Sequence, residues 1–102
     1  MRPRRLIVSL RALDDLLNIY NYIAEFNPIA ARRLLDDLNA KIAWIAETGV
    51  TGVPRDYLPG LRAFPYRNRG IYFVMTEDKL TVLRILHGHQ NITPDDFTES
   101  TP

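Results

Sequence analysis

The 102-residue chain contains no cysteine. That removes disulfide cross-links, thiolate nucleophiles and cysteine-type zinc sites at once. It has no unbroken apolar stretch of membrane-spanning length, because its long hydrophobic patterns are all amphipathic. Its start, Met1-Arg2-Pro3-Arg4-Arg5, lacks the apolar run of a signal peptide. A soluble, cytoplasmic protein with no membrane partner is therefore expected. A net charge of +1 provides no global field to draw nucleic acid, so sequence-specific nucleic-acid binding is not expected. Internal repeats, low-complexity tracts, a Walker-type glycine loop, a dinucleotide fingerprint and a Ser-His-Asp order are all missing.

The hydrophobic fraction, 46%, suffices for one modest core in a chain of this length. Residues 1–91 read as a single domain. Residues 92–102, Ile-Thr-Pro-Asp-Asp-Phe-Thr-Glu-Ser-Thr-Pro, read as a polar, loosely held tail. Charge is unevenly spread. Between Val53 and Ile92 stand six basic residues, Arg55, Arg62, Arg67, Arg69, Lys79 and Arg84, against three acidic ones, Asp56, Glu77 and Asp78. A local basic patch on a near-neutral chain points to one acidic partner.

Periodicity orders the elements. Arg5–Val8 reads as a short strand, and Ser9 as the cap of a helix with Asp14 and Asp15 near its first turn. Leu13, Leu16, Leu17, Tyr20, Ile23 and Ala24 recur at helical spacing and are expected in the core, with Ile19 and Tyr22 on the flank. Asn27-Pro28 restarts a helix carrying Ala31, Leu34, Leu35, Leu38, Ile42 and Ile45 up to Thr48-Gly49. The short link makes these two an antiparallel hairpin. Residues 49–60 read as a loop. Strands are expected at Leu61–Tyr66, Gly70–Met75 and Leu80–His87, joined by short turns. The fold class is α+β, in the order β-α-α-β-β-β, with the N-terminal helical hairpin on one face of a mostly antiparallel sheet. Leu16, Leu34, Leu38 and Ile42 should face that sheet, against Ile71 and Leu83.

Several residues carry chemistry. Arg62 and Arg84 lie in strands and could share a face, where each alone could be a solvated arginine of a one-sided sheet. With Arg67 and Arg69 at the adjoining turn they point to an anion-facing patch, whose guanidinium forks suit carboxylate and phosphate equally. His87 and His89 should point to one face of the last strand. A metal there would need further ligands, and the nearest carboxylates, Asp95 and Asp96, sit on the tail; no metal and no cofactor is expected. Ile19, Tyr22, Phe26 and Trp44 lie off the main helical stripes. For Phe26 a role in the core or in stapling the hairpin is expected, and for Tyr22 and Trp44 a partner contact is an equal alternative.

Gly60-Leu61-Arg62, Ile71-Tyr72-Phe73-Val74 and Ile85-Leu86-His87-Gly88 together resemble the sheet half of the ParE/RelE superfamily of bacterial type II toxins, the ParE branch more than the RelE branch. The helical half is similar as well, through Ala12, Asp15, Leu16, Ile19, Tyr22, Ile23 and Ala24, then Asn27-Pro28-Ile29-Ala30-Ala31. The resemblance spans residues 5–91. It implies a toxin that inhibits DNA gyrase and is silenced by a cognate antitoxin, which folds as it docks to form a hetero-oligomer. Arg62, Arg67, Arg69, Arg84, His87 and His89 become candidates for target binding. Ile19, Tyr22, Trp44, Arg62 and Arg84 become candidates for antitoxin binding.

The RelE branch implies a different activity, ribosome-dependent cleavage of mRNA. Such enzymes resemble one another in a loop of lysines before the sheet, an arginine opening the middle strand, another at the last strand's end, and a downstream tyrosine. Here residues 49–60 hold no lysine, and Gly70 stands at the middle-strand position beside Arg69. His89 replaces the strand-end arginine, and no tyrosine follows Tyr72. A strand-end histidine also occurs in another nuclease branch, so the endoribonuclease stays as an alternative, with His87 or His89 as its acid or base. A degenerate member that only binds a partner is the third reading. The leading expectation is a binding toxin with no catalytic residues.

Overall fold

The computed structural model describes residues 4–88 and 91–98. Strand β1 (Arg5–Val8) leads into helix α1 (Leu10–Ala24), and α2 (Pro28–Thr48) follows. The remaining strands are β2 (Val53–Pro54), β3 (Arg62–Tyr66), β4 (Arg69–Met75) and β5 (Lys79–His87), and a single 3-10 turn covers Pro94–Phe97. The five strands run in the order β1-β5-β4-β3-β2. β1 lies parallel to β5, and all other pairs are antiparallel. The expected α+β order holds, with one addition. Residues 53–54, inside the segment read as loop, pair with Ala63 and Arg62 as a two-residue edge strand.

Local chemistry explains the helix ends. The Ser9 side chain accepts from the Ala12 N–H, and that of Asn27 from the Ala30 N–H. Pro28 occupies the first turn of α2, where a missing N–H costs nothing. Gly49 ends that helix at φ 73°, a left-handed conformation that a side chain disfavours. Asp14 and Asp15 fall beyond the first turn of α1, so they do not serve the helix dipole there.

The helix-side core gathers Ala12, Leu16, Leu34, Leu38, Ile42 and Ile45 against Ile71, Phe73, Leu80, Val82 and Ile85. Helix α1 is rotated from the sequence expectation. Its buried side is Ala12 and Leu16, continued by Ile19 and Ile23, whereas Leu13 and Leu17 are exposed. The helix carries two overlapping apolar stripes, and only docking against β5 selects between them. Phe26, expected to staple the hairpin, is 77% exposed and meets the Tyr22 ring edge-on at 5.8 Å.

A second cluster covers the other sheet face: Leu61, Ala63, Tyr72, Leu86 and Phe97, with Tyr57, Leu58 and Leu83 packed around it. Leu83 thus leaves the helix-side core where it was expected. Leu83 alternates with Val82, which faces the helices, and an irregularity between Tyr72 and Phe73, opposite Arg84 and Val82 respectively, leaves it as an extra residue on β5 and restores Ile85 to the helix side. The tail is corrected too. Phe97 is buried against Tyr57 and Tyr72, and the Arg11 guanidinium donates to the Asp95 and Thr98 carbonyls at 3.1 and 2.8 Å. One apolar anchor thus docks residues up to Thr98, despite their polar composition.

Candidate functional site

Strand alternation decides where the arginines go. Arg62 sits opposite Phe73, which belongs to the helix-side core, whereas Arg84 sits opposite Tyr72 on the other face. The two therefore do not share a face. In a regular strand Arg84 would align with the fully buried Leu80 and Val82; the extra Leu83 resets the alternation and spares it that fate.

Arg84 is not a free cation. Its Nε and Nη2 donate to the two Asp15 carboxylate oxygens at 2.8 and 2.9 Å, and its Nη1 donates to the Asp96 carbonyl at 2.9 Å. The Asp96 carboxylate lies 3.6 Å away. The Arg84 and Asp15 side chains are each only 12% exposed. This hydrogen bonding holds the Arg84 pKa above its ordinary value, against the opposing effect of burial. Asp15 also accepts from the Ile85 N–H at 2.9 Å. β1 stops at Val8, opposite Val82, so the edge of β5 beyond that point would otherwise be bare. Ser9 Oγ donates to the Leu83 carbonyl there and Asp15 receives Ile85, so the start of α1 finishes the sheet edge.

Arg62 is likewise engaged, donating through Nε to the Thr51 carbonyl and through Nη2 to that of Gly52. Arg67 pairs with Asp37 of α2 at 3.1 Å and lies 5.2 Å from the Tyr66 ring centre. Its φ of 58° is the only positive value among non-glycine residues described. Arg69 differs from all three: among the described residues it has no ion pair or hydrogen bond. Burial, and then the like charge of Arg67, lower its pKa.

Two cavities meet at Arg69. At the edge where α1 meets the end of β5, a cavity of about 440 Å³ brings Arg69 and Arg84 together with His87, Ile19 and Tyr22, beside Asp15 and Asn18. Arg69 and His87 are direct cross-strand neighbours. Trp44 lies apart from this group. It packs edge-on against Phe64 at 5.7 Å, with the Lys41 ammonium 4.4 Å from its ring centre. His89 lies outside the described residues. The other cavity, about 620 Å³, lies on the far face and is lined by Arg55, Tyr57, Arg67, Arg69, Tyr72 and Asn91 among others. Arg55 donates to the Tyr57 hydroxyl at 2.9 Å. Gly70 gives the Tyr72 ring its place, since a β-carbon there would meet the ring at 2.9 Å.

A third surface is the outer side of the hairpin. Leu13, Leu17, Tyr20 and Leu35 line a shallow groove of about 430 Å³ together with Arg32. Leu10 and Ile29 are exposed as well, whereas Tyr22 lies on the other flank of α1 and lines the cavity beside Arg84. Sequence reading placed Leu13 and Leu17 in the core and so missed this groove. It also overlooked Asp15 as the partner of Arg84, and Arg55, Tyr57 and Tyr72 as cavity residues. The cluster of Arg55, Asp56 and Tyr57 near a second-face aromatic was the available signal for the cavity.

No described helix is long and apolar enough to cross a membrane. No curated protein matches the sequence. A family model described as the ParE toxin of the type II toxin-antitoxin system, parDE, matches residues 6–92. Among solved structures, the chain is similar to one titled as a chromosomal ParDE toxin-antitoxin system from P. aeruginosa. The TM-score is 0.74 at 20% identity, over 82% of this chain and 95% of that one.

Proposed function

Because the chain belongs to the ParE toxin family of type II toxin-antitoxin systems, we propose that it acts as a ParE-like inhibitor of DNA gyrase, neutralised when a cognate antitoxin docks on it. The observation that carries this reading is the uncovered apolar face of the hairpin. Leu17 is 56% and Ile29 71% exposed, and Leu10 and Leu13 are exposed with them. A contiguous apolar surface of this kind on so small a domain marks an interaction site. A partly disordered antitoxin segment suits it, folding as an amphipathic helix laid along the groove and continuing over α1 to Ile19 and Tyr22, which line the neighbouring cavity.

Binding suits the target better than cleavage does. The cavity between α1 and the end of β5 that holds His87 has one described carboxylate, Asp15, and it is already committed to Arg84 and to the Ile85 N–H. RNA cleavage needs an available acid or base beside its cations. Arg67, exposed beside Asp37, and the half-buried Arg69, which has no described partner, are the arginines of the candidate set left to meet a target, and a few arginine anchors can carry most of an interface. The cross-strand pairing of Arg69 with His87 favours the second reading, an mRNA endoribonuclease.

Expressing the chain without an antitoxin separates the two. Supercoiling by purified gyrase should be inhibited and a DNA-damage response induced. Arg67→Ala or Arg69→Ala should weaken both more than His87→Ala does. Undisturbed supercoiling, together with message cuts at fixed codon positions that His87→Ala abolishes, would establish the nuclease instead.

A further inference from the structure

The anchors of the docked tail lie beyond residue 92, where the match to the toxin family ends. Phe97 is stacked on Tyr57 at 5.6 Å and tilted against Tyr72 at 5.2 Å, with Leu61 and Leu86 in the same cluster. Two guanidiniums stand around this socket. Arg11 of α1 donates to the Asp95 and Thr98 carbonyls, and Arg84 of β5 donates to that of Asp96. The segment is folded for its place, because the Asp96 carboxylate accepts from the Thr93 N–H at 2.9 Å and closes one turn. One aromatic ring and three backbone carbonyls thus carry the docking.

Such contacts recognise a peptide, and the tail leaves part of the socket unused. Backbone carbonyls belong to every segment, so Arg11 and Arg84 fix the main chain while the ring pocket selects the side chain. Arg11 makes no ion pair among the described residues, so its charge meets only neutral carbonyls. A carboxylate there would form a stronger, charge-assisted bond. Tyr72, whose ring borders the socket, has no described acceptor for its hydroxyl. A segment with more carboxylates around its aromatic residue therefore fits better, contact for contact, than the tail does. The tail's advantage is its tether, which raises its effective concentration at the socket.

We propose that this socket, between the first turn of α1, β5 and the 49–60 loop, is a docking site for an acidic segment of another protein that carries one aromatic residue, and that residues 94–98 hold it in cis as a built-in competitor. The aromatic ring enters between Tyr57 and Tyr72, and a carboxylate takes Arg11. A nucleic acid suits the site less well. Arg84 is already neutralised by Asp15, which leaves Arg11 as the one cation here without a described counter-charge, too few for a polyanion. The proposal is independent of the gyrase reading and of the hairpin groove.

The test uses the full chain carrying Phe97→Ala, which empties the socket without shortening the protein. The probe is an end-blocked peptide of residues 93–98, titrated by calorimetry. It should bind the Phe97→Ala chain saturably and the parent about 10-fold or more weakly, since only molecules with the tail undocked can take it. A peptide with Asp95 and Asp96 both changed to Asn should bind about 10-fold more weakly than the acidic one, as should the acidic peptide to the Phe97→Ala chain with Arg11→Gln added. If Phe97→Ala does not fold, the parent is used with proton NMR. The Phe97 ring signals, displaced by the Tyr57 and Tyr72 rings, should then move to free-peptide positions as the probe is added. The proposal is overturned if the probe neither binds the variant nor displaces the parent's tail, or if it binds both chains equally. It is also overturned if a peptide with Phe97→Ala binds as well as the probe, or if a single-stranded oligonucleotide displaces the tail and the peptide does not. A dimer of the parent that Phe97→Ala dissolves would give the socket to a second copy and overturn it too.

Discussion

Arg84 was expected on a target-facing surface, and its surroundings assign it to the architecture. The guanidinium ties β5 to α1 through Asp15 and to the 3-10 turn through Asp96, with Asp15 also closing the strand edge. Removing one member of a buried pair strands the other charge, at about 3–5 kcal/mol. Asp15→Ala should therefore lower unfolding stability by about that amount in urea melts. Arg84→Ala should be comparable, so any loss of toxicity it causes reflects folding and not contact with the target. Tyr72 gives a second prediction at this scale. Its folded pKa is raised above the ordinary 10.0 by burial, so unfolding lets the phenol ionise more readily. The resulting stability is intact below the unfolded value and is lost as pH rises through the folded one. Melts taken from neutral pH into the alkaline range should fall more steeply for the parent than for Tyr72→Phe. Arginine identity alone disclosed neither role, because engaged and free guanidiniums are the same residue type until the tertiary partners are in place.

Among the elements, α2 was read correctly and α1 was read on the wrong side. Helix α2 has one apolar stripe, so Leu34, Leu38, Ile42 and Ile45 had a single way to be buried. Helix α1 has two, and burying Ala12, Leu16, Ile19 and Ile23 left Leu10, Leu13 and Leu17 outside. Leu38→Ala should cost about 2–5 kcal/mol, since that side chain is fully buried. Leu17→Ser should change folding stability by no more than about 0.5 kcal/mol, as for most surface substitutions. The same change should weaken antitoxin binding, measured by titration. Equal folding losses for the two variants would mean that Leu17 is core after all. The strands were legible to within a residue or so because turn residues punctuate them. The two-residue β2 was not, since its pairing with β3 depends on a long-range register that local composition does not encode.

For the molecule as a whole, the hairpin covers one sheet face while the docked tail and the far-face cavity occupy the other. Covering the hairpin's exposed apolar side should stabilise the fold through mass action. At an antitoxin concentration a hundred times the dissociation constant, the gain is about 2.7 kcal/mol. Calorimetry should show the melting temperature of the chain climbing with antitoxin concentration, and hydrogen exchange should slow across α1. A melting temperature independent of antitoxin would place the docking surface elsewhere or remove the partner.

The sequence by itself determined the order of the two helices and four of the five strands, the α+β class and the family, because periodicity, caps and turn chemistry are local properties and are written residue by residue. Only the tertiary structure decided which stripe of α1 is buried and that an extra residue in β5 turns Arg84 away from the core toward Asp15. It alone docked Phe97 and left Arg69 and the Tyr72 hydroxyl without described partners around one cavity. Each of those outcomes depends on groups far apart in the chain meeting with a particular register, and register is set by packing the whole sheet at once.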